Sequence, residues 1–266
     1  MTEFVDILFQ LFVAMSLTMP RVYVALQFVP IFSKNNLHGM AKHAVIFAVS
    51  LPIIIGNYIR ISSDAFANIF FPLYVVKELI LGFTIGFILG APYWVFQSVG
   101  VMIDNQRGAL SGGYFNPGAG PDSSMLADFL TKALAIVMIV TGSFAYMFAL
   151  IVESYTLWPT LEWFPLMSPD AHTEFISQFS RIIYFFVLYA GPIILVLLLV
   201  EAGFAVLGAY SPQMQVYFMA MPAKSLIALI ILIMYLSNLW HIGFQNLSGI
   251  DQMRQSLINI WGMPKR

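Results

Sequence analysis

Four stretches of this chain run the thickness of a lipid bilayer without a single Lys, Arg, Asp or Glu: residues 79–103, 133–152, 182–200 and 225–250, of 25, 20, 19 and 26 residues. About 20 consecutive apolar residues cross a hydrocarbon core as a helix, and a helix satisfies every backbone amide within its own segment. The runs are too long for strands and lack alternation with a period of two, so the expected fold class is all-α. Two earlier runs are weaker. Residues 7–20 are interrupted by Arg21 before apolar sequence resumes to Phe32, and residues 44–59 hold Ser50, Pro52 and Gly56. Hydropathy therefore predicts about six long apolar helices, or up to eight where Pro and Gly break them into hairpins.

Charge is correspondingly scarce. The 266 residues contain 12 Lys+Arg and 13 Asp+Glu, a formal charge of −1. A soluble domain of this length carries about 66 charged residues at the usual quarter of its composition. Lipid or other apolar protein must solvate this surface. No block of basic residues offers the clustered cations that phosphate neutralisation needs, so nucleic acid is not an expected partner. Without cysteine there is no disulfide, thiol nucleophile or Cys-ligated metal. The acidic start, Glu3 and Asp6, has no small-x-small site after the first apolar run and is read as uncleaved.

Two features set the chain apart from an ordinary polytopic bundle. Alternating six segments across a membrane puts Arg60, Lys77, Arg181, Arg254, Lys265 and Arg266 on one side and Lys34, Lys42, Arg107, Lys132 and Lys224 on the other, so positive charge marks neither side. Pro20, Pro30, Pro52, Pro72, Pro92 and Pro192 fall in or beside the apolar runs, where a missing amide and a steric clash are expected to kink or break a helix. Broken helices survive at membrane depth only where protein or a wet cavity satisfies the freed carbonyls. Much of the apolar surface is therefore expected to face partner subunits. No repeat of 20 to 50 residues is visible, and residues 1–266 read as one domain.

Enzyme signatures are missing: there is no P-loop, HExxH, GxSxG or dinucleotide fingerprint. His38 and His43 are five apart, off the four-residue spacing that aligns two ligands on a helix, and no catalytic, cofactor or metal residues are assigned. Gly82, Gly86 and Gly90 form a smooth strip on one helical face, open to close packing either within the chain or against a neighbouring subunit. Arg21, the adjacent Lys77 and Glu78, and Glu201 lie in apolar surroundings, where charges are costly and usually paired. A structural ion pair, an inter-subunit contact or a proton relay would each account for them. Asp104, Asp122 and Asp128 read as solvated or helix-capping, with Asp122-Ser123-Ser124 as an N-terminal cap. The segment 104–121 holds five glycines and two prolines around Tyr114 and Phe115, which suits either a surface connection or a re-entrant, gating loop.

Pro92-Tyr93-Trp94-Val95, followed by Ile103-Asp104-Asn105-Gln106-Arg107-Gly108-Ala109 and Asn116-Pro117, resembles the T subunit of the type III secretion export apparatus, the SpaR/YscT injectisome family related to flagellar FliR. A second set agrees: Leu197-Leu198-Leu199-Val200-Glu201, then Ser211-Pro212-Gln213-Met214-Gln215-Val216-Tyr217, then Met221-Pro222-Ala223-Lys224-Ser225. Asp-Asn-Gln-Arg-Gly points to the injectisome branch. Gln215 stands where relatives often carry Asn, and Gly112-Gly113 replaces bulkier residues. The resemblance implies a helical-hairpin subunit in a hetero-oligomeric gate of the bacterial inner membrane. Its partners would be the R and S subunits, with the U (switch) and V (large export gate) subunits, the inner rod or needle, secreted effector proteins in transit and membrane lipid. It assigns the channel plug to Gln106, Arg107, Leu110, Gly112, Gly113, Tyr114, Phe115, Asn116 and Pro117. Subunit contacts fall to Gly82, Gly86, Gly90, Glu201, Pro212, Gln213, Met214 and Lys224. A multi-pass secondary transporter or small-solute channel is the alternative; it predicts inverted repeats, which are not visible.

Overall fold

A computed structural model describes residues 2–32, 39–61, 71–109, 124–163, 167–210, 216–247 and 250–262. Among these residues there are eight α-helices and no strand: α1 (Thr2–Gln27), α2 (Gly39–Ile61), α3 (Phe71–Gln106), α4 (Met125–Val140), α5 (Ser143–Leu157), α6 (Ala171–Tyr210), α7 (Val216–Leu247) and α8 (Ile250–Trp261). A short 3₁₀ turn, Pro30–Phe32, follows α1. Five helices are long and apolar enough to cross a membrane, and six if the bent pair α4 and α5 counts as one span. The fold is all-α and of membrane type.

Of the prolines expected to kink or break helices, Pro20, Pro52, Pro92 and Pro192 lie inside continuous helices, so none of these four ends one; Pro30 opens the 3₁₀ turn and Pro72 is the second residue of α3, and the weaker runs before residue 60 form full helices of 26 and 23 residues. The sharp break falls instead within the uninterrupted run 133–152. There α4 and α5 meet at 81° around Gly142, whose φ of 77° is the left-handed conformation that only glycine adopts without a Cβ clash. Hydropathy does not sense this corner, because the residues on both sides of it are apolar.

The chain clusters into two compact units whose segments alternate along the sequence. One comprises residues 1–90, 138–178 and 250–266, the other residues 91–137 and 179–249. In the first unit, α1 and α2 pack as neighbours around Val13, Ala14, Leu17, Ile54 and Ile61. The amphipathic α8 turns Met253, Leu257, Ile260 and Trp261 inward and packs on α5. In the second unit, Phe96 stacks on Trp240 at 5.0 Å and lies 6.2 Å from Tyr189.

Burial separates the long helices. In α3, 78% of the membrane-length window is buried, against 22% in both α6 and α7. A helix apolar on every side is a core element, while the exposed Ile183, Val187, Leu195 and Leu199 of α6 and the exposed Leu226, Ile230 and Ile233 of α7 need an apolar environment from elsewhere.

Candidate functional site

The first unit buries a charge cluster. Arg21, on α1, grips Glu78 of α3 with both ends of its fork: Nε donates to Oε2 at 2.6 Å and Nη2 to Oε1 at 2.9 Å. Nη1 donates to the carbonyl and hydroxyl of Ser154, at 2.9 and 3.1 Å, and Nη2 also reaches the Trp158 carbonyl at 2.8 Å. All five guanidinium donors are thereby used. Lys77 donates to the carbonyls of Pro159, Thr160 and Glu162 at 2.8 to 3.1 Å and lies 3.0 Å from Glu78.

Two cations thus share one carboxylate in a site with almost no exposure. The excess positive charge sits at the C-terminal end of α5, the negative end of the helix dipole. The Tyr155 ring, 3.9 Å from the guanidinium carbon, closes one side. Sequence reasoning named these charges without joining Arg21 to Glu78; the structure makes them one structural cluster.

The glycine strip serves the same unit. A Cβ at Gly82 would stand 2.6 Å from the Arg21 carbonyl oxygen, and one at Gly86 would stand 2.5 Å from Phe28 and 2.9 Å from the Ala25 carbonyl oxygen. Both glycines therefore admit the chain's own α1 to backbone contact, the intramolecular one of the two readings. Gly90 is buried. A third close approach escaped the motif: at Gly100 a Cβ would lie 2.4 Å from the Ala127 backbone of α4. Gly100 is 18 residues from Gly82, five full helical turns, so periodicity could have revealed it.

In the second unit, the ends of α3 and α4 are tied where the glycine-rich segment leaves and returns. Asp104 is buried, not solvated. Its Oδ2 accepts from the Ser124 hydroxyl at 2.6 Å and from the Leu126 amide at 3.0 Å, while Oδ1 accepts from Arg107 at 2.7 to 2.8 Å. Ser124 in turn caps α4 by accepting from the Ala127 amide, so its part of the expected cap is observed; Asp122 and Ser123 lie outside the described residues. One carboxylate thus joins residues 20 apart in sequence. Gly108, at a φ of 79°, ends α3 with its amide on the Asn105 carbonyl, and a Cβ there would meet the Met221 side chain of α7 at 3.4 Å.

Beside this clamp, Lys224 on α7 pairs with Glu201 on α6 at 2.8 Å and reaches weakly to the Gln106 carbonyl at 3.4 Å. Glu201 is half-exposed rather than enclosed by apolar groups, and Lys224 is mostly buried. A cleft of about 430 Å³ opens here, lined by residues 105–108, Glu201, Phe204, Gly208, Met221 and Lys224. The structure therefore gathers Gln106, Arg107, Glu201 and Lys224. Leu110, Gly112, Gly113, Tyr114, Phe115, Asn116, Pro117, Pro212, Gln213 and Met214 lie outside the described residues. Among the described residues no three His, Asp or Glu side chains come together to hold a metal.

Comparison with known proteins gives a consistent answer. Residues 12–248 match the family described as bacterial export proteins, family 1. The chain is 32% identical over 223 residues to the Yop proteins translocation protein T of Yersinia pestis, covering 83% of this chain and 84% of that one. It is 30% identical over 213 residues to the surface presentation of antigens protein SpaR of Shigella flexneri, covering 80% and 81%. The flagellar biosynthetic protein FliR of Bacillus subtilis is 23% identical over 228 residues, covering 85% and 87%.

Proposed function

This chain belongs to the bacterial export proteins, family 1, and on that premise we propose that it forms and plugs a protein-conducting channel at the centre of a type III secretion export gate. Membership in the type III export apparatus follows from relatives aligned along four fifths of the chain. It is a multi-pass membrane protein by its apolar helices. The finer placement is the bacterial inner membrane, in one hetero-oligomer with the R and S subunits and next to the U and V subunits and the rod or needle. Exported polypeptide is the cargo and lipid the surrounding solvent. No catalytic role is proposed.

The observation that carries this reading is the clamp at Asp104. A plug must move without unravelling the wall that bears it. One carboxylate holding the α3 end and the α4 start together supplies fixed abutments for the residues between them. Tyr114 and Phe115 are the proposed stoppers, since apolar rings in a narrow lumen exclude both ions and water. Glu201 and Lys224, which line the cleft, are proposed contacts to neighbouring subunits, as are Pro212, Gln213 and Met214. A small-solute transporter gains no support from the relatives.

Co-expression with tagged R and S subunits tests the assignment. The chain should co-purify in one hetero-oligomer, and its deletion should abolish secretion. A chain that purifies alone as a stable homo-oligomer, with secretion intact in its absence, would refute it.

A further inference from the structure

We propose that the turn following α5 is built as a site for a monovalent cation, with the Lys77 ammonium as its resident ion. The carbonyl oxygens of Pro159, Thr160 and Glu162 stand 2.9, 2.8 and 3.1 Å from Nζ, and Glu78 Oε1 stands at 3.0 Å. All of these groups belong to the first unit. An ammonium has three protons to donate, yet four oxygens surround this one. Glu78 Oε1 also accepts from Arg21 Nη2 at 2.9 Å. The shell therefore matches a compact positive charge more closely than a set of N–H directions.

The backbone has the same requirement. The Glu162 amide donates to the Pro159 carbonyl at 3.3 Å, closing a tight turn over residues 159–162. Three carbonyls from four consecutive residues converge on one point, so their negative ends repel one another unless a cation stands between them. Thr160 is buried, and a buried carbonyl left without a partner is costly. Carbonyl shells of this kind replace the hydration of potassium in selectivity filters. The charge also suits a monovalent ion. One carboxylate faces the site and is shared with Arg21, whereas calcium gathers about six to eight oxygens, several from carboxylates.

The site has an entrance. A notch of about 90 Å³, lined by Leu73, Tyr74, Lys77 and Trp163, opens onto the shell. Nζ lies over the Tyr74 ring, 5.5 Å from its centre, and an aromatic face attracts cations. The exposed Trp163 packs edge-on against Tyr74 at 6.4 Å. Truncating the side chain at position 77 leaves the oxygens in place beside this opening. It also leaves Arg21 and Glu78 as a balanced pair, so the variant should still fold.

The test compares the parent with Lys77→Ala in the full chain, assembled with its partner subunits. Melting is followed in chloride salts of potassium, ammonium or N-methylglucamine at equal ionic strength, the last being too bulky to enter. The parent should melt alike in all three. Lys77→Ala should melt lower in N-methylglucamine and regain most of that loss in potassium or ammonium, rising in equal steps with each tenfold increase in potassium, as linkage to a single bound ion requires. Lys77→Met, which keeps the stem and puts a methyl group where the ammonium stood, should be destabilised and gain from no salt. If Lys77→Ala does not assemble, Lys77→Gln carries the same comparison, because its carboxamide still donates to the turn; its gain from potassium should be smaller. Absence of a potassium effect in the assembled variant, or an equal gain by Lys77→Met, would overturn the proposal.

Discussion

Two charge clusters, one in each unit, are built in opposite ways. In the first, Arg21, Glu78 and Lys77 are sealed from solvent, and every guanidinium proton meets an acceptor. In the second, Glu201 is half open to solvent and meets Lys224 through one contact beside a cleft. Removing one member of a buried cluster leaves an uncompensated charge in a dry place, at a cost of about 3 to 5 kcal/mol. An exposed pair is worth about 1 kcal/mol at most, after solvent screening and the entropy of holding two long side chains. The first arrangement holds a fold; the second is the weaker tie.

That contrast orders the mutations. Glu78→Gln should have the largest effect, since both cations lose their counter-charge. Loss of about 3 kcal/mol or more should abolish the folded chain, read as the yield of monodisperse complex in detergent. Survival of Glu78→Gln at normal yield would show that the carbonyls between Ser154 and Glu162 alone balance the two cations, erasing the difference between the clusters.

Gly100→Val comes next, because its side chain would meet the α4 backbone, which cannot step aside as a flexible side chain can. Overpacking costs of about 1 to 3 kcal/mol should lower the melting temperature of the assembled complex. Gly86→Val should act in the same direction, while Gly203→Val, with nothing within 4 Å, is the control. Equal effects at positions 100 and 203 would mean that the α3 to α4 contact is not close.

Asp104→Asn stands between the two charge regimes. It keeps the shape, removes the counter-charge of Arg107 and weakens two hydrogen bonds that organise the start of α4. A loss of about 1 to 3 kcal/mol should show as protease cleavage within 107–124 of a complex that still assembles. An unchanged cleavage pattern would show that the clamp does not hold the segment's ends.

Glu201→Gln should change stability less than Glu78→Gln, because its half-exposed carboxylate is screened by solvent. It sharpens the comparison through function: secretion or co-purification should fall while the melting temperature holds. A melting shift as large as that of Glu78→Gln would place both clusters in one structural class.

Much of this was legible in the residues, for identifiable reasons. Runs such as 79–103 report helices directly, because transfer free energy follows composition, and Gly82 and Gly86 report close packing because they repeat every four residues. The pairing of Arg21 with Glu78, 57 residues apart, follows no local spacing and became visible only once α1 lay on α3. The corner at Gly142 was hidden because a left-handed glycine inside an apolar run leaves hydropathy unchanged, and the prolines misled because α1, α2, α3 and α6 absorb them without ending. Glu201 looked enclosed from its neighbours Leu199 and Val200, yet its side chain is half open to solvent.

The most direct test of the channel assignment is ion conductance of the assembled complex after deleting Gly112 to Phe115. With Asp104 still holding the ends of α3 and α4, assembly and yield should be unchanged, while the resting complex becomes leaky to small ions and cells that overproduce it lose membrane potential. A deletion complex that assembles and stays as ion-tight as the parent would show that this segment is a surface connection and that the channel is closed elsewhere.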